Sequence, residues 1–377
     1  MRGFPAQIMA SCGRVSSTIV FLFLGGLQSV SAGPIYSVQV LGALTGTSSV
    51  GSINGSGNGV GYITNAAGDQ VPVLLNGQTT ALPGIGQANG INSTGMIVGT
   101  TYSNGSPMVT EWSGGNQISP GIAGYGTAIN DSGQIAGGYI TPGGQLNAFE
   151  YNGGTLINLG TLGGGWSSAY GINASGQIVG YSMTGAGVFA AFLSNGNSMT
   201  NLCPGCSSSS YAFGVNSNGT AVGSFVNSSG YLHASEYSDG NAIDLGTLGG
   251  FGSAAYGIND SGSVVGVSYL GDNSTQDAFL YSNNIMVDLN SLLPIASGWT
   301  ISAAYGINNS GDIIGVGSLN GQTYAVALDP TLSGSANVVA ANDPLPVPEP
   351  APMFLTAGAL LLFGVRFWHR RRSQITS

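Results

Sequence analysis

The chain has 377 residues, of which 42% are hydrophobic and only 6% charged, with six Lys and Arg against fifteen Asp and Glu and a net charge of −9. All six basic residues lie near the ends, at Arg2, Arg14, Arg366, Arg370, Arg371 and Arg372, so the body from Gly33 to Pro348 has no Lys or Arg. A nucleic-acid binder needs such cations to displace phosphate counterions, so that class is excluded, as is direct ion pairing with anionic lipid or acidic polysaccharide unless a divalent cation bridges the charges.

Residues 1–32 read as a secretory signal peptide: Arg2 and Arg14 precede the apolar run Ile19–Leu24, and Val30-Ser31-Ala32 precedes Gly33. An uncleaved anchor is the alternative, disfavoured because the run is shorter than the roughly 18 residues a spanning helix needs. The expected setting is therefore exported and oxidising. Next, Tyr36-Ser37-Val38-Gln39-Val40-Leu41-Gly42-Ala43-Leu44 resembles the last strand of a later repeat, so it is expected to complete the final one.

Residues 33–332 hold seven repeats marked by Asn54, Asn92, Asn130, Asn173, Asn216, Asn259 and Asn308, each followed by Gly three and seven residues later. Asn opens a tight turn with its side chain on the backbone, and the first Gly supplies the positive φ the turn requires. Two β-branched or small apolar residues then lead out as a strand. A second half follows, as in Ala148-Phe149-Glu150-Tyr151, a turn at Asn152-Gly153-Gly154, and Leu156-Ile157-Asn158-Leu159-Gly160. Four short strands in about 43 residues is the size of one propeller blade, so the expected fold is an all-β, seven-bladed β-propeller, with a β-solenoid as the alternative.

Within the repeats, Tyr170, Phe213, Tyr256 and Tyr305 recur three residues before the turn Asn and read as packing residues. Trp166, Phe251 and Trp299 fall in Gly- or Ser-rich connections expected on one face, where aromatic rings could stack on sugar rings; the alternative is that they plug gaps between blades. Cys203 and Cys206 enclose Pro204-Gly205 and are expected to form a local disulfide rather than a redox site, which would need a helix N-terminus. His233 is the only body histidine, so catalytic triads and multi-histidine metal sites are not available. Two carboxylates alone could hydrolyse glycosides, but Glu111, Glu150 and Glu236 recur at similar repeat positions, which points to structural surface sites. No cofactor is expected; Asp131 and Asp260, in their turns, support at most weak surface calcium sites.

After a linker at 333–346, Val347-Pro348-Glu349-Pro350 is followed by an apolar stretch to Val365 and by Arg366, His369, Arg370, Arg371 and Arg372. Such a span should leave its arginines in the cytoplasm. This tail, residues 347–377, resembles the PEP-CTERM sorting signal, also called an ice-binding protein C-terminal domain, a label that implies nothing about ice. The resemblance implies a transient membrane segment and recognition of Pro348, Glu349 and Pro350 by an exosortase-type protease; the alternative is a plain anchor. The repeats, with Ala278-Phe279-Leu280-Tyr281 and Asp244-Leu245-Gly246-Thr247-Leu248-Gly249-Gly250, resemble the HAF family of extracellular repeats, although Asn147, Ala190 and Asp277 stand where the motif has His. That resemblance implies location and architecture. The resulting expectation is a non-enzymatic surface or matrix protein of a Gram-negative-type envelope, associated with exopolysaccharide; the alternative is a carboxylate-dependent polysaccharide-degrading enzyme.

Overall fold

A computed structural model describes residues 35–44, 48–196 and 198–331. They form a seven-bladed β-propeller of seven four-stranded antiparallel sheets, and the solenoid alternative does not apply. The signal segment, the linker and the sorting tail lie outside the described residues.

Blades are numbered here by their turn asparagine, from Asn54 in blade 1 to Asn308 in blade 7. The first strand of each blade is innermost: Ser49–Ile53, Gly86–Ile91, Gly124–Ile129, Gly163–Ile172, Ser210–Val215, Gly249–Ile258 and Thr300–Ile307. Each touches the inner strands of its two neighbours, blade 7 against blade 1 included, so the ring is closed at the hub. It is closed at the rim as well. Strand Ile35–Ala43 pairs antiparallel with Gln322–Thr331 as the fourth strand of blade 7, from Ile35 opposite Thr331 to Ala43 opposite Tyr324. This matches the sequence expectation for that segment and covers an edge that would otherwise be open to another chain.

The repeat motif accounts for this geometry residue by residue. Each turn Asn is 4–8% exposed, and its Oδ1 accepts backbone N–H bonds, for Asn173 from Ser175 at 3.1 Å and Gln177 at 2.9 Å. The Gly three residues on has φ between 77° and 89° in all seven copies, a region closed to most side chains. The second Gly has a different reason. A Cβ at Gly99, Gly137, Gly180 or Gly266 would collide with a carbonyl of the inner strand, and at the last three also with the ring of Phe149, Phe192 or Phe279. The Phe of each Ala-Phe pair therefore lies flat over the Gly of its own blade, and all three rings are fully buried.

Seven separate apolar clusters fill the seven seams between blades. Val98 and Val109 of blade 2 meet Ile129, Ile135 and Phe149 of blade 3, and Leu41, Ile314 and Ala325 of blade 7 meet Val50, Val73 and Leu75 of blade 1. A single blade cannot bury both of its faces, so the fold is stable only as a ring.

Candidate binding site at the hub and one face

In six inner strands the pairing with the second strand skips the third residue before the turn Asn, a β-bulge at Asn89, Thr127, Tyr170, Phe213, Tyr256 and Tyr305. A bulge bends its strand and re-aims one side chain. Four successive bulges thereby build an aromatic arc, with ring centroids 5.7 Å apart from Tyr170 to Phe213 and from Phe213 to Tyr256, and 5.4 Å from Tyr256 to Tyr305. The sequence reading of these four as packing residues agrees with these contacts, but each ring also keeps part of its surface accessible.

Tyrosines of the other three blades continue the series. Tyr305 and Tyr102 both lie near enough to Tyr62 to be coupled to it electrostatically, and Tyr125 is coupled to Tyr102 and Tyr170. Tyr62, Tyr102, Tyr125, Tyr170, Phe213, Tyr256 and Tyr305 thus supply one aromatic ring from each of the seven blades, five from inner strands and Tyr62 and Tyr102 from second strands. Burial first, and neighbouring phenols second, raise the Tyr305 pKa to about 12 and push Tyr256 and Tyr125 upward, so every phenol in the ring is neutral at physiological pH. The seven inner strands contain no Asp, Glu, His, Lys or Arg. The hub is uncharged, aromatic and provided with hydroxyls.

Of the three rings singled out in the sequence, Phe251 is 37% exposed, stacked at 4.4 Å on Tyr269 and 5.3 Å from the exposed Tyr231. Trp166 is half-buried between Tyr181, at 5.0 Å, and Phe189, at 5.5 Å. Trp299 packs edge-on against Tyr324 and beside the cluster between blades 6 and 7. All three stand at the same end of their blades, but none touches another, and each belongs to its own patch. The hub ring was not legible as a site, because Tyr62 and Tyr102 lie on second strands and Tyr125 at a different repeat position.

Cys203 and Cys206 are joined by a disulfide in the connection between blades 4 and 5. Glu111, Glu150 and Glu236 lie on the third strands of blades 2, 3 and 5, so the ring separates them. Glu150 corrects the expectation of a surface position: it is 6% exposed, and its Oε1 accepts a bond of 2.9 Å from Gln134. Asp131 and Asp260 link adjacent turns, accepting bonds of 2.8 Å from the backbone N–H of Ser93 and Ser217 in the preceding blade. The bond from Ser217 is the main reason the Asp260 pKa is lowered.

His233 Nδ1 lies 2.8 Å from Asp244 Oδ2 on the adjacent outer strand. The corresponding rung is Asn147 to Asn158 in blade 3 and Asp277 beside Asp288 in blade 6. Asp277 is 7% exposed, and burial first, then the Asp288 charge, raise its pKa. Among the described residues no group of three or more His, Cys, Asp or Glu could hold a metal ion, and no helix is long and apolar enough to cross a membrane.

No protein-family model matches the chain, and no curated protein matches it. Solved structures similar to it include a puromycin-hydrolysing peptidase of Mycobacterium tuberculosis, 10% identical, with 78% of this chain and 54% of the peptidase covered and a TM-score of 0.52. The β-propeller domain of the trilobed protease from Pyrococcus furiosus is 10% identical over 64% of this chain and 84% of its own, with a TM-score of 0.46. The BP39L lectin from Burkholderia pseudomallei is 11% identical over 79% and 99%, with a TM-score of 0.39. The chain spans about half the length of the peptidase, and at 10% identity that likeness shows the fold alone.

Proposed function

We propose that this is an exported cell-surface or matrix protein whose propeller is a non-enzymatic binding module for uncharged polysaccharide of the envelope. The observation that carries the reading is the hub: seven inner strands without one charged side chain, ringed by an aromatic from every blade. Aromatic faces with neutral hydroxyls suit the apolar faces and hydroxyl rims of sugar rings. A body without Lys or Arg, carrying only carboxylates, repels polyanions and leaves neutral chains as partners. Export by the signal peptide and release by an exosortase-type protease at Pro348, Glu349 and Pro350 belong to the same proposal.

Affinity electrophoresis tests it. The protein should be retarded in gels containing neutral glucan, mannan or the host exopolysaccharide, equally at low and high salt, and not in a polyuronate gel. Free mobility in every gel, or shortened glycan products after long incubation, would overturn the reading.

A further inference from the structure

The connection between blades 4 and 5 differs from its neighbours. Blades 4 and 6 are entered through Thr161-Leu162-Gly163 and Thr247-Leu248-Gly249, where Leu162 and Leu248 pack into the seam and ten-residue inner strands carry Trp166 and Phe251 forward. Blade 5 lacks both features. Its inner strand is the six-residue Ser210–Val215, and the disulfide loop stands where the leucine would be. The seam is left with a cavity of about 310 Å³.

The cavity is amphipathic. Its lining combines the apolar Phe189, Pro204 and Cys203–Cys206 disulfide with the polar Asn201, Ser207 and Ser208. Phe189 is held edge-on by Trp166 at 5.5 Å and Tyr181 at 5.7 Å. Asn201 Oδ1 accepts the Cys203 N–H at 2.8 Å, which orients the amide and leaves its Nδ2 uncommitted. The hydroxyls of Ser207 and Ser208 also have no protein partner among the described residues. No ionisable side chain lines the space.

We infer that this cavity is a subsite for one uncharged sugar residue, with the ring's apolar face on Phe189 and the disulfide and its hydroxyls on Asn201, Ser207 and Ser208. Its volume stands at the small end of ligand cavities, about 300–1,000 Å³, which fits one pyranose rather than a stretch of polymer. The inference rests on the glycan-binding reading and locates its most specific contact.

The test uses the closed propeller, residues 35–331, whose first and last strands pair with each other, exported to an oxidising compartment. Saturation-transfer NMR and calorimetry would be run with neutral methyl hexosides and gluco- and manno-oligosaccharides. Ser207→Trp, at an exposed position, blocks the mouth without touching the core, and Phe189→Ala removes the platform; Phe251→Ala is the comparison in a different patch. Binding by the parent protein that weakens at least tenfold in Ser207→Trp and Phe189→Ala, but less than twofold in Phe251→Ala, is the expected result. Parent binding kept within twofold in Ser207→Trp would overturn the subsite and leave the glycan-binding role in place. Absence of binding by the parent at millimolar sugar would overturn both.

Discussion

At the scale of the residue, the turn asparagines do more than open turns. Asn54 Nδ2 donates to the Asn92 carbonyl at 3.0 Å, Asn92 to Asn130 at 3.1 Å, and so on through Asn130, Asn173, Asn216 and Asn259, until Asn308 donates back to Asn54 at 3.2 Å. One side chain thus shapes its own turn and ties it to the next blade, in a circle of seven. The turn role was legible from Asn and Gly at fixed spacing. The circle was not, because a sequence shows each repeat alone and the partner is a backbone carbonyl with no signature. Asn173→Ala removes the link to the buried Asn216 carbonyl, which keeps the Gly219 N–H, and takes the acceptor from two turn N–H groups, so it should lower unfolding free energy by about 1–3 kcal/mol, read from denaturant midpoints. Half-buried Asn227, which makes a similar turn outside the circle, should cost clearly less as Ala.

A second residue-scale prediction concerns Asp277. Its pKa is raised by burial and by Asp288, so the folded state keeps a proton that the unfolded chain has already released. Its contribution is therefore fully present below the unfolded carboxylate value, about 4, and is lost as pH rises through the folded one. Blade 3 already has the neutral solution, since Asn147 Nδ2 bonds Asn158 Oδ1 at 3.2 Å. Asp277→Asn should raise the melting temperature at pH 7 by a few degrees and change it little at pH 3; an equal shift at both values would contradict this account.

At the scale of the element, the N-terminal strand carries closure. Tyr36 and Leu41 are 3% and 1% exposed and pack into the seams on the two sides of blade 7. Its role was legible because Val-Gln-Val-Leu-Gly-Ala-Leu repeats the pattern of a blade's last strand while the seventh copy lacks one. Removal of residues 33–44 should expose the Gln322–Thr331 edge and convert the monomer to dimers or aggregates by light scattering. A peptide of residues 33–44 added in trans should restore the monomer. The bulges were hidden, since nothing in Ala-Ala-Tyr-Gly-Ile distinguishes a bulged Tyr256 from one in regular register. Bulge placement depends on the close approach of neighbouring inner strands, where Gly257 meets Gly306 and Gly214 meets the Tyr256 carbonyl.

At the scale of the whole molecule, composition and topology converge. Fourteen carboxylates and no Lys or Arg occupy the body, yet none of those among the described residues is on an inner strand, so their charge is kept to the turns and the other strands. This was readable from the chain once the inner strands were known, but the hub ring of Tyr62, Tyr102, Tyr125, Tyr170, Phe213, Tyr256 and Tyr305 exists only after seven blades close. Because no ion pair is available in the hub, binding should be insensitive to salt. Tyr256→Ala and Tyr305→Ala together should weaken glucan retention severalfold at every ionic strength, with the circular dichroism of the propeller kept.

The most direct test of the central claim is a crystal structure of the propeller grown with calcium and soaked with fragments of the host exopolysaccharide. The expected result is an uncharged sugar chain in contact with the aromatic rings of the hub and the patches beside it. Sugar bound only along the outer strands with no contact to these rings, or no sugar at saturating concentration, would contradict it.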